Sequence, residues 1–325
     1  MKHFLCRQRR RKSRLQKSLA GLCLLAGALL LGTTTLASAA PQVHFGVPNW
    51  PGITVKTEVA AQLLEAMGYA TKQTSASPTF AVGSMKNGQL DAYLGGWLPH
   101  EEGFLIPAIE AGELKELTTN IREPIMGLAV PKYVWDEGVH SVADLTKYAD
   151  KFDKKIYGIE PGTGVNSALK DAIKNNFQNL GDWRLVESST SGMLVQVGNA
   201  IKKKKWIAFL GWQPHWMNVK YDIKYLEAVE DDSKIAYTVS NVLTVVTPEL
   251  AAEQPEATRF LTQFQIEKKT QSEWILALTL DERDPVEIAS TWISDNLDTV
   301  AKWLDGVNTL DGEPAFDVVQ AKYAN

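Results

Sequence analysis

The sequence YLGGWLPH at residues 93–100 is repeated, with changes, as AFLGWQPH at residues 208–215. Both copies read as a hydrophobic strand that ends in Gly-Trp-x-Pro-His, and a chance duplication of that pentapeptide in one chain is improbable. In open α/β sheets, ligands bind beyond the carboxyl ends of the strands. The repeat therefore predicts two strand ends, one in each of two lobes, that present Trp97 and Trp212 to a shared cleft.

On both sides of this repeat, short apolar runs alternate with amphipathic segments, a pattern that is typical of an α/β fold. In the first half, a strand at residues 43–47 precedes a helix at residues 53–67, which Gly68 ends. In the second half, a strand at residues 155–159 runs into a glycine-rich turn and then a helix over about residues 166–175. Further segments follow the same pattern: strands at 91–94, 127–130, 206–210 and 242–246, and a helix at 193–203.

The first forty residues have a different composition. Eight Lys and Arg residues and no acid lie between residues 2 and 17, an apolar run covers residues 19–31, and Ala37-Ser38-Ala39 has the small-x-small form of a cleavage site. The apolar run is shorter than the roughly 20 residues that span a bilayer. These features predict a secretory signal peptide at residues 1–39 and a mature protein in the periplasm. A permanent membrane anchor or a basic arm for nucleic acid is the alternative.

The positive charges of this predicted signal peptide, called the leader below, offset a negative charge on the rest of the chain. The full sequence has 325 residues and a formal net charge of −4, which becomes −12 once the eight leader cations are removed. Both cysteines, Cys6 and Cys23, belong to the leader. The mature chain is therefore expected to lack disulfides, thiol catalysis and cysteine metal sites, and its acidity argues against nucleic-acid binding.

Motifs for catalysis are absent from the sequence. It contains no Gly-x-Ser-x-Gly elbow, no His-Glu-x-x-His zinc helix and no phosphate-binding Gly-x-x-x-x-Gly-Lys loop. The histidines of the mature chain are scattered without metal-ligand spacing. We therefore expect a binding protein without metal or cofactor, and a secreted hydrolase remains a remote alternative because no nucleophile–base pair is evident.

Three of the ten tryptophans differ from the others. Trp50, Trp97 and Trp212 each lie at a strand-to-loop junction beside Gly or Pro, where large flat side chains more often form binding surface than core. Trp216 is assigned either to a fourth wall of the same site or to packing. Indole faces attract a quaternary ammonium group, which has no N–H for a carboxylate to bind. A sugar or a flat aromatic ligand would also stack on tryptophan.

Five motifs carry a resemblance to a known family: residues 49–54, 96–99, 158–162, 187–193 and 210–215. They are collinear over about residues 43–312, and with them the chain resembles periplasmic substrate-binding proteins for glycine betaine, choline and carnitine, which feed ABC importers. The resemblance implies a two-lobed, hinged α/β fold with the ligand cleft between the lobes. It places lobe 1 at residues 40–124 and 233–325 and lobe 2 at residues 125–232. It also implies a monomer whose transient partners are an ABC permease and its ATPase.

By the same resemblance, Trp50, Trp97 and Trp212 match the aromatic cage of the family. Choline-selective members carry Asp where this chain has Gly52, Tyr where it has Met126, and Asn where it has Thr163. An Asp suits the hydroxyl of choline but repels a carboxylate. The departures therefore favour glycine betaine or carnitine over choline.

The carboxylate of such a ligand needs hydrogen-bond donors. Gly52 and Ile53 open a predicted helix, where free backbone N–H groups favour an anion. Thr163 and His215 are further candidate donors, since in betaine-binding relatives backbone amides and a histidine do this work. With Met126 in place of an aromatic residue, the cage also leaves room for another zwitterion, such as proline, histidine or ectoine.

Overall fold

The sheet of this computed structural model is formed by nine strands within the described residues, 40–229 and 234–324. The predicted signal peptide, residues 1–39, lies outside the described residues. The strands, in chain order, are β1 Gln42–Val47, β2 Ala70–Ser75, β3 Ala92–Leu98, β4 Lys115–Pro131, β5 Lys155–Tyr157, β6 Arg184–Val186, β7 Ala208–Gln213, β8 Ile223–Tyr225 and β9 Thr238–Val246.

The strand order, β2-β1-β3-β9-β4-β7-β5-β6, divides the sheet into two similar halves. β1 pairs in parallel with β2 and β3 in one half, and β5 pairs in parallel with β6 and β7 in the other. The long strands β4 and β9 run antiparallel to each other in the middle, and β8 pairs with the far end of β4. Each half thus places one Gly-Trp-x-Pro-His segment at the end of a strand next to this central pair, β3 or β7.

Helices cover the sheet, and proline begins several of them, because the N–H that proline lacks has no intrahelical partner at a first turn. The helices are α1 Pro51–Ala66, α2 Pro78–Lys86, α3 Glu102–Glu110, α4 Lys132–Trp135, α5 Val142–Lys147, α6 Gly164–Lys174, α7 Thr190–Lys202, α8 Met217–Lys220, α9 Pro248–Glu253, α10 Pro255–Gln263, α11 Lys268–Thr279, α12 Pro285–Asp295, α13 Leu297–Trp303 and α14 Ala315–Tyr323. None of the helices in the described part of the chain combines the length and the apolar character that a bilayer crossing requires.

Two separate clusters of buried hydrophobic residues stabilise the structure. One draws on residues 43–121 and 242–319, and the other on residues 126–236. Trp97 packs against both clusters. The chain therefore passes from one cluster to the other along β4 and returns along β9, which gives the two-lobed architecture that the sequence predicts.

The predicted elements recur with shifted ends. The helix predicted at residues 53–67 is α1, and those predicted at 166–175 and 193–203 are α6 and α7. The four-residue strand predicted at 127–130 is the last part of β4, whose register shifts three times along its pairing with β9. These irregularities interrupt the alternation of apolar residues, so the polar first part of β4 carries no strand signal.

Candidate functional site

A cavity lies where the two Gly-Trp-x-Pro-His segments meet. Trp97, near the end of β3, and Trp212, near the end of β7, both contribute to its wall, and so does Trp50, the residue that precedes α1. Both hydrophobic clusters therefore supply residues to one cavity. The full lining is Trp50, Pro51, Gly52, Ile53, Lys56, Gly95, Trp97, Ile121, Met126, Ile159, Trp212, Pro214, Val242, Gln271 and Ile275.

Trp50 is oriented by a carboxylate from the other half of the molecule. Its indole Nε1 donates a hydrogen bond to Glu160 Oε2 at 3.2 Å. Glu160 is held in turn by the first residue of α7, since the backbone N–H and the hydroxyl of Thr190 donate to it at 2.7 and 2.9 Å. A carboxylate at the N–H edge makes the indole face more negative, which favours a cation on that face.

Trp97 is positioned by Glu101, which is buried one helical turn further along the chain. The Glu101 carboxyl accepts hydrogen bonds from the Trp97 backbone N–H at 3.3 Å and from the Tyr93 hydroxyl at 3.2 Å. Burial raises the pKa of Glu101 well above its usual range, although the hydrogen bonds from Tyr93 and Trp97 oppose that shift. This network holds the backbone of Trp97, and both Tyr93 and Glu101 are buried.

Trp212 is positioned by the turn that follows it. Its carbonyl accepts a hydrogen bond from Asn218 Nδ2 at 2.7 Å, and its ring lies edge-on to His215, with centroids 4.8 Å apart. On the neighbouring strand Trp212 pairs with Met126, which also lines the cavity. The structure thus brings together the three predicted cage tryptophans and Met126.

The first turn of α1 supplies backbone donors. Pro51 has no N–H, and Thr54 is the first residue whose N–H finds an intrahelical acceptor, the Trp50 carbonyl at 3.1 Å. The N–H groups of Gly52 and Ile53 therefore have no acceptor within the helix, and the preceding residue, Trp50, gives no side-chain cap. Both residues line the cavity, where these N–H groups and the helix dipole favour a negative charge.

The other predicted site residues lie elsewhere. Thr163 is buried and donates its hydroxyl to the Glu160 carbonyl at 3.1 Å. His215 and Trp216 line a neighbouring groove rather than the cavity. His215 Nδ1 accepts from the Met217 N–H, while burial lowers the pKa of His215 to about 3 and its Nε2 has no partner among the described residues. The donor roles of Thr163 and His215 and the role of Trp216 remain predictions.

Two polar residues of the cavity wall were missed by the sequence reasoning, Lys56 and Gln271. Lys56 is 2% exposed and Gln271 is 6% exposed. A signal for Lys56 existed, because it lies three residues after Ile53 and seven before Leu63, on the buried face of α1. Gln271 had no such signal, since it lies on α11, far along the chain.

The two halves also touch outside the cavity. The Gly162 carbonyl accepts a hydrogen bond from the Thr79 hydroxyl at 3.3 Å. At Gly164, a side chain would have its Cβ only 1.9 Å from the His100 carbonyl oxygen, so only glycine fits this approach. The glycine-rich turn of the second half is therefore packed directly against the first half.

The groups of the cavity wall are suited to binding. The wall consists of indole faces, aliphatic side chains, N–H donors and one amine, without a nucleophile paired to a base. Within residues 40–229 and 234–324, no group of three His, Cys, Asp or Glu side chains could hold a metal ion. Two α/β halves around one such cavity define a two-lobed substrate-binding protein of the type that serves membrane transporters.

The family follows from the sequence match. Residues 41–295 match the family described as the substrate binding domain of the ABC-type glycine betaine transport system, and the chain belongs to this family. Its members are transport proteins rather than enzymes. They act outside the cytoplasm, bind small ligands and interact with a permease.

Individual relatives agree with this assignment. The glycine betaine/carnitine transport binding protein GbuC of Listeria monocytogenes is 38% identical over 165 residues, which is 50% of this chain and 53% of that protein. A choline binding protein of an ABC transporter, solved with choline, superposes with a TM-score of 0.84 at 32% identity and covers 87% of this chain and 98% of its own. Lactococcal OpuAC, solved in its closed conformation with glycine betaine, superposes with a TM-score of 0.72 at 33% identity. The match covers 81% of this chain and 99% of that chain.

Proposed function

We propose that this protein captures a trimethylammonium compound that bears a carboxylate, glycine betaine or carnitine, and delivers it in the periplasm to an ABC permease and its ATPase. One observation carries the proposal: a single cavity combines three tryptophans with two backbone N–H groups that lack an intrahelical acceptor. The ligands named for the relatives, glycine betaine, carnitine and choline, all contain the same cation.

The cation would be held by Trp50, Trp97 and Trp212. Its charge is spread over methyl groups that match the apolar faces of the rings, and each desolvated cation–π contact contributes about 2 kcal/mol. Three such contacts can supply much of the roughly 8 kcal/mol that corresponds to a micromolar dissociation constant. Glu160, which accepts a hydrogen bond at the N–H edge of Trp50, strengthens the attraction of that ring for the cation.

The carboxylate would be held at the first turn of α1, by the N–H groups of Gly52 and Ile53. Choline has no carboxylate to offer these donors, and the position of Gly52 has no carboxylate of its own to accept the choline hydroxyl. The cavity therefore favours glycine betaine or carnitine over choline, with proline betaine as a further ligand of the same type.

The ligand would bind as the two halves close. We propose lobe 1 at residues 40–124 and 233–325 and lobe 2 at residues 125–232, with the hinge on β4 and β9. The register shift of β4 between Arg122 and Ile125 and the change of hydrophobic cluster after Ile121 support the first boundary, whereas the second cluster continues to Ala236, a few residues past the other boundary. The leader at residues 1–39 would direct the monomer to the periplasm and be removed there.

The proposal is tested by titration of the mature protein with glycine betaine, carnitine, choline, proline betaine, proline and histidine, followed by tryptophan fluorescence and calorimetry. We expect glycine betaine or carnitine to bind most tightly, and Trp97→Ala to weaken that binding at least about tenfold. Trp135→Ala, at a half-buried tryptophan of α4 outside the cavity, is the matched control. Tight binding of proline or histidine, with none of the methylammonium compounds, would refute the proposal, and turnover of any ligand would point to an enzyme.

A further inference from the structure

Lys56 is a buried amine in the cavity wall, and among the described residues it has one hydrogen-bond partner. Its Nζ donates to Asn120 Oδ1 at 2.8 Å. Asn120 is fixed in that orientation because its Nδ2 donates to the Leu94 carbonyl and to the Thr244 hydroxyl. An ammonium group has three N–H donors, so two donors of Lys56 have no protein acceptor among the described residues.

No counter-charge accompanies this lysine. Among the described residues, no carboxylate oxygen lies within 4.0 Å of Lys56 Nζ. Buried charges in proteins are almost always paired, and burial alone lowers the pKa of Lys56 to about 7. A lysine without a partner in a binding cavity is therefore prepared for an anion that arrives with the ligand.

A second polar side chain of the cavity also lacks partners. Gln271 Oε1 is buried and has no hydrogen-bond partner within the described part of the chain, and Gln271 Nε2 lies 1.9 Å from the point where a Cβ on Gly52 would be. The Gln271 amide therefore occupies the space beside the first turn of α1, on the same cavity wall as Lys56.

We propose that Lys56 is a specificity-determining residue, whose ammonium pairs with the carboxylate of the ligand beside the N–H groups of Gly52, Ile53 and Gln271. This inference rests on the proposed function and adds a charge to it. The paired ammonium stabilises glycine betaine or carnitine, whereas a bound choline would leave an unpaired positive charge next to a second one. The residue thus selects a zwitterion over a simple cation.

The pairing makes ligand binding take up a proton. In the empty cavity at about pH 8, neutral Lys56 outnumbers the charged form by about ten to one. A bound carboxylate favours the charged form, so binding raises the pKa and adds up to about one proton per ligand. At about pH 6 Lys56 is already charged, and the uptake disappears.

Lys56 is the one titratable side chain in the described lining of the cavity. Its hydrogen-bond partner, Asn120, does not titrate, and neither do Gly95, Ile121, Val242 and Gln271, which line the same cavity. The buried titratable groups elsewhere at the site are His100, His215 and the Glu101–Tyr93 pair. Burial lowers the pKa of His100 to about 4 and that of His215 to about 3, so both stay neutral over this range.

The experiment is calorimetry of ligand binding at about pH 6 and pH 8 in buffers that differ in ionisation enthalpy, which gives the protons taken up per ligand. For glycine betaine we expect uptake near one proton at the higher pH and near zero at the lower, with affinity falling up to about tenfold per pH unit above pH 7.5. Choline should take up none. Glycine betaine binding without uptake at pH 8 would overturn the assignment of Lys56.

Two substitutions of Lys56 test whether its charge, rather than its contribution to folding, is needed for binding. Lys56→Gln keeps an N–H donor for Asn120 and removes the charge, and Lys56→Met removes both. Each should abolish proton uptake, raise the dissociation constant of glycine betaine at least about tenfold at pH 7, and leave choline binding unchanged or tighter. Lys174→Met, at an exposed lysine of α6, is the matched control and should keep the uptake. Uptake that persists in both Lys56 variants would assign the proton to another group, Glu101 first.

The two proposals fail in different ways. If no methylammonium compound binds the unsubstituted protein, the proposed function is wrong. If glycine betaine binds and Lys56→Gln binds it equally well, the cage stands and only the pairing of Lys56 with the carboxylate is wrong. Thermal unfolding of each variant shows whether it is folded before its affinity is compared.

Discussion

The absence of a side chain at Gly52 is explained by the position of Gln271. By comparison with choline-selective relatives, Gly52 reads as the loss of an acidic side chain. The structure shows what fills the space: Gln271 Nε2 lies 1.9 Å from the point where a Cβ would be attached. Glycine at residue 52 therefore leaves room for the Gln271 amide of α11. The N–H groups of that amide take the place of the Asp carboxylate that choline-selective relatives have here.

This arrangement predicts how choline selectivity can be introduced. Gly52→Asp alone should weaken every ligand, because the new side chain collides with the buried Gln271 amide. The double variant Gly52→Asp/Gln271→Ala should shift the ratio of choline to glycine betaine affinity toward choline by at least about tenfold, since an Asp accepts the choline hydroxyl and repels a carboxylate. Calorimetric titration of both ligands measures the ratio, with Gln271→Ala as the control. An unchanged ratio in the double variant would contradict the assignment of this wall to the carboxylate.

Burial of Lys56 without an acidic partner among the described residues also lowers the free energy of unfolding. The pKa of Lys56 is about 7 in the folded protein against an ordinary 10.5, so the unfolded chain binds a proton more readily over that interval. The free energy of unfolding therefore falls as the pH drops from about 10.5 to 7, by up to about 1.4 kcal/mol per pH unit, and is unaffected by this group below pH 7.

Removal of the amine should consequently stabilise the ligand-free protein. We expect Lys56→Met to raise the free energy of unfolding by a few kcal/mol at pH 7, although Asn120 loses a donor, and the gain should vanish toward pH 10. Urea unfolding at several pH values, without ligand, measures it. A variant that is less stable at every pH would show that the charge of Lys56 is tolerated in the empty cavity.

The site residues differ in how far the sequence alone could identify them. Trp50, Trp97 and Trp212 were predicted to converge, because each follows a strand or precedes a helix beside Gly or Pro, and the cavity contains all three. Gln271 could not be predicted, since its place depends on how α11 packs against α1. A polar residue that lines a cavity from a distant helix has no local pattern.

At the scale of elements, strong apolar periodicity determined what was predicted. α1, α6 and α7 were predicted to within three residues at each end because each has a buried face. The strand β2, with the sequence ATKQTS, has no buried residue and lies at the edge of the sheet, so nothing in its sequence indicates a strand. Its place comes from parallel pairing with β1 along six residues.

Asp144, in the first turn of α5, accepts hydrogen bonds from the residue that precedes the helix. Burial would raise the pKa of Asp144, but hydrogen bonds from Lys147, from the Ser141 hydroxyl and from the backbone N–H groups of His140 and Ser141 outweigh it and lower the pKa to about 2. Since the ordinary value is 3.8, Asp144 contributes stability above about pH 4 that is lost as the pH falls toward 2.

Asp144→Ala should accordingly reduce the free energy of unfolding by about 1–2 kcal/mol at pH 7 and by much less near pH 2. Chemical denaturation at the two pH values measures the difference. Asp171→Ala, at an exposed acid of α6, is the control and should change little. A loss that is equal at both pH values would mean that the charge of Asp144 does not take part in the cap.

The contacts between the two halves show whether the structure represents an open or a closed state of the protein. Glu160 accepts a hydrogen bond from Trp50, and Gly162 accepts one from Thr79. Both hydrogen bonds join a residue of lobe 1 to a residue of lobe 2 as proposed above. The cavity is therefore closed between the halves, and a ligand needs these contacts to open before it can enter.

Gly164 allows the two halves to approach each other closely. A larger residue at this position therefore tests whether closure is needed for binding. A Cβ at Gly164 would lie 1.9 Å from the His100 carbonyl oxygen, so Gly164→Ala cannot adopt the closed arrangement without displacing backbone. Gly164 is the first residue of α6, where alanine is acceptable, so the fold of its own half should survive. Overpacking of about 1–3 kcal/mol predicts a glycine betaine dissociation constant about 10- to 100-fold higher.

Small-angle X-ray scattering should also show that the unsubstituted protein becomes more compact with glycine betaine, whereas Gly164→Ala does not. Gly83→Ala on α2 is the matched control, because a Cβ there meets no atom within 4 Å and the substitution adds helix propensity. It should bind and compact like the unsubstituted protein. If Gly164→Ala bound glycine betaine with full affinity, ligand capture would not depend on the contact between His100 and the glycine-rich turn, and the closed arrangement would not be the binding state.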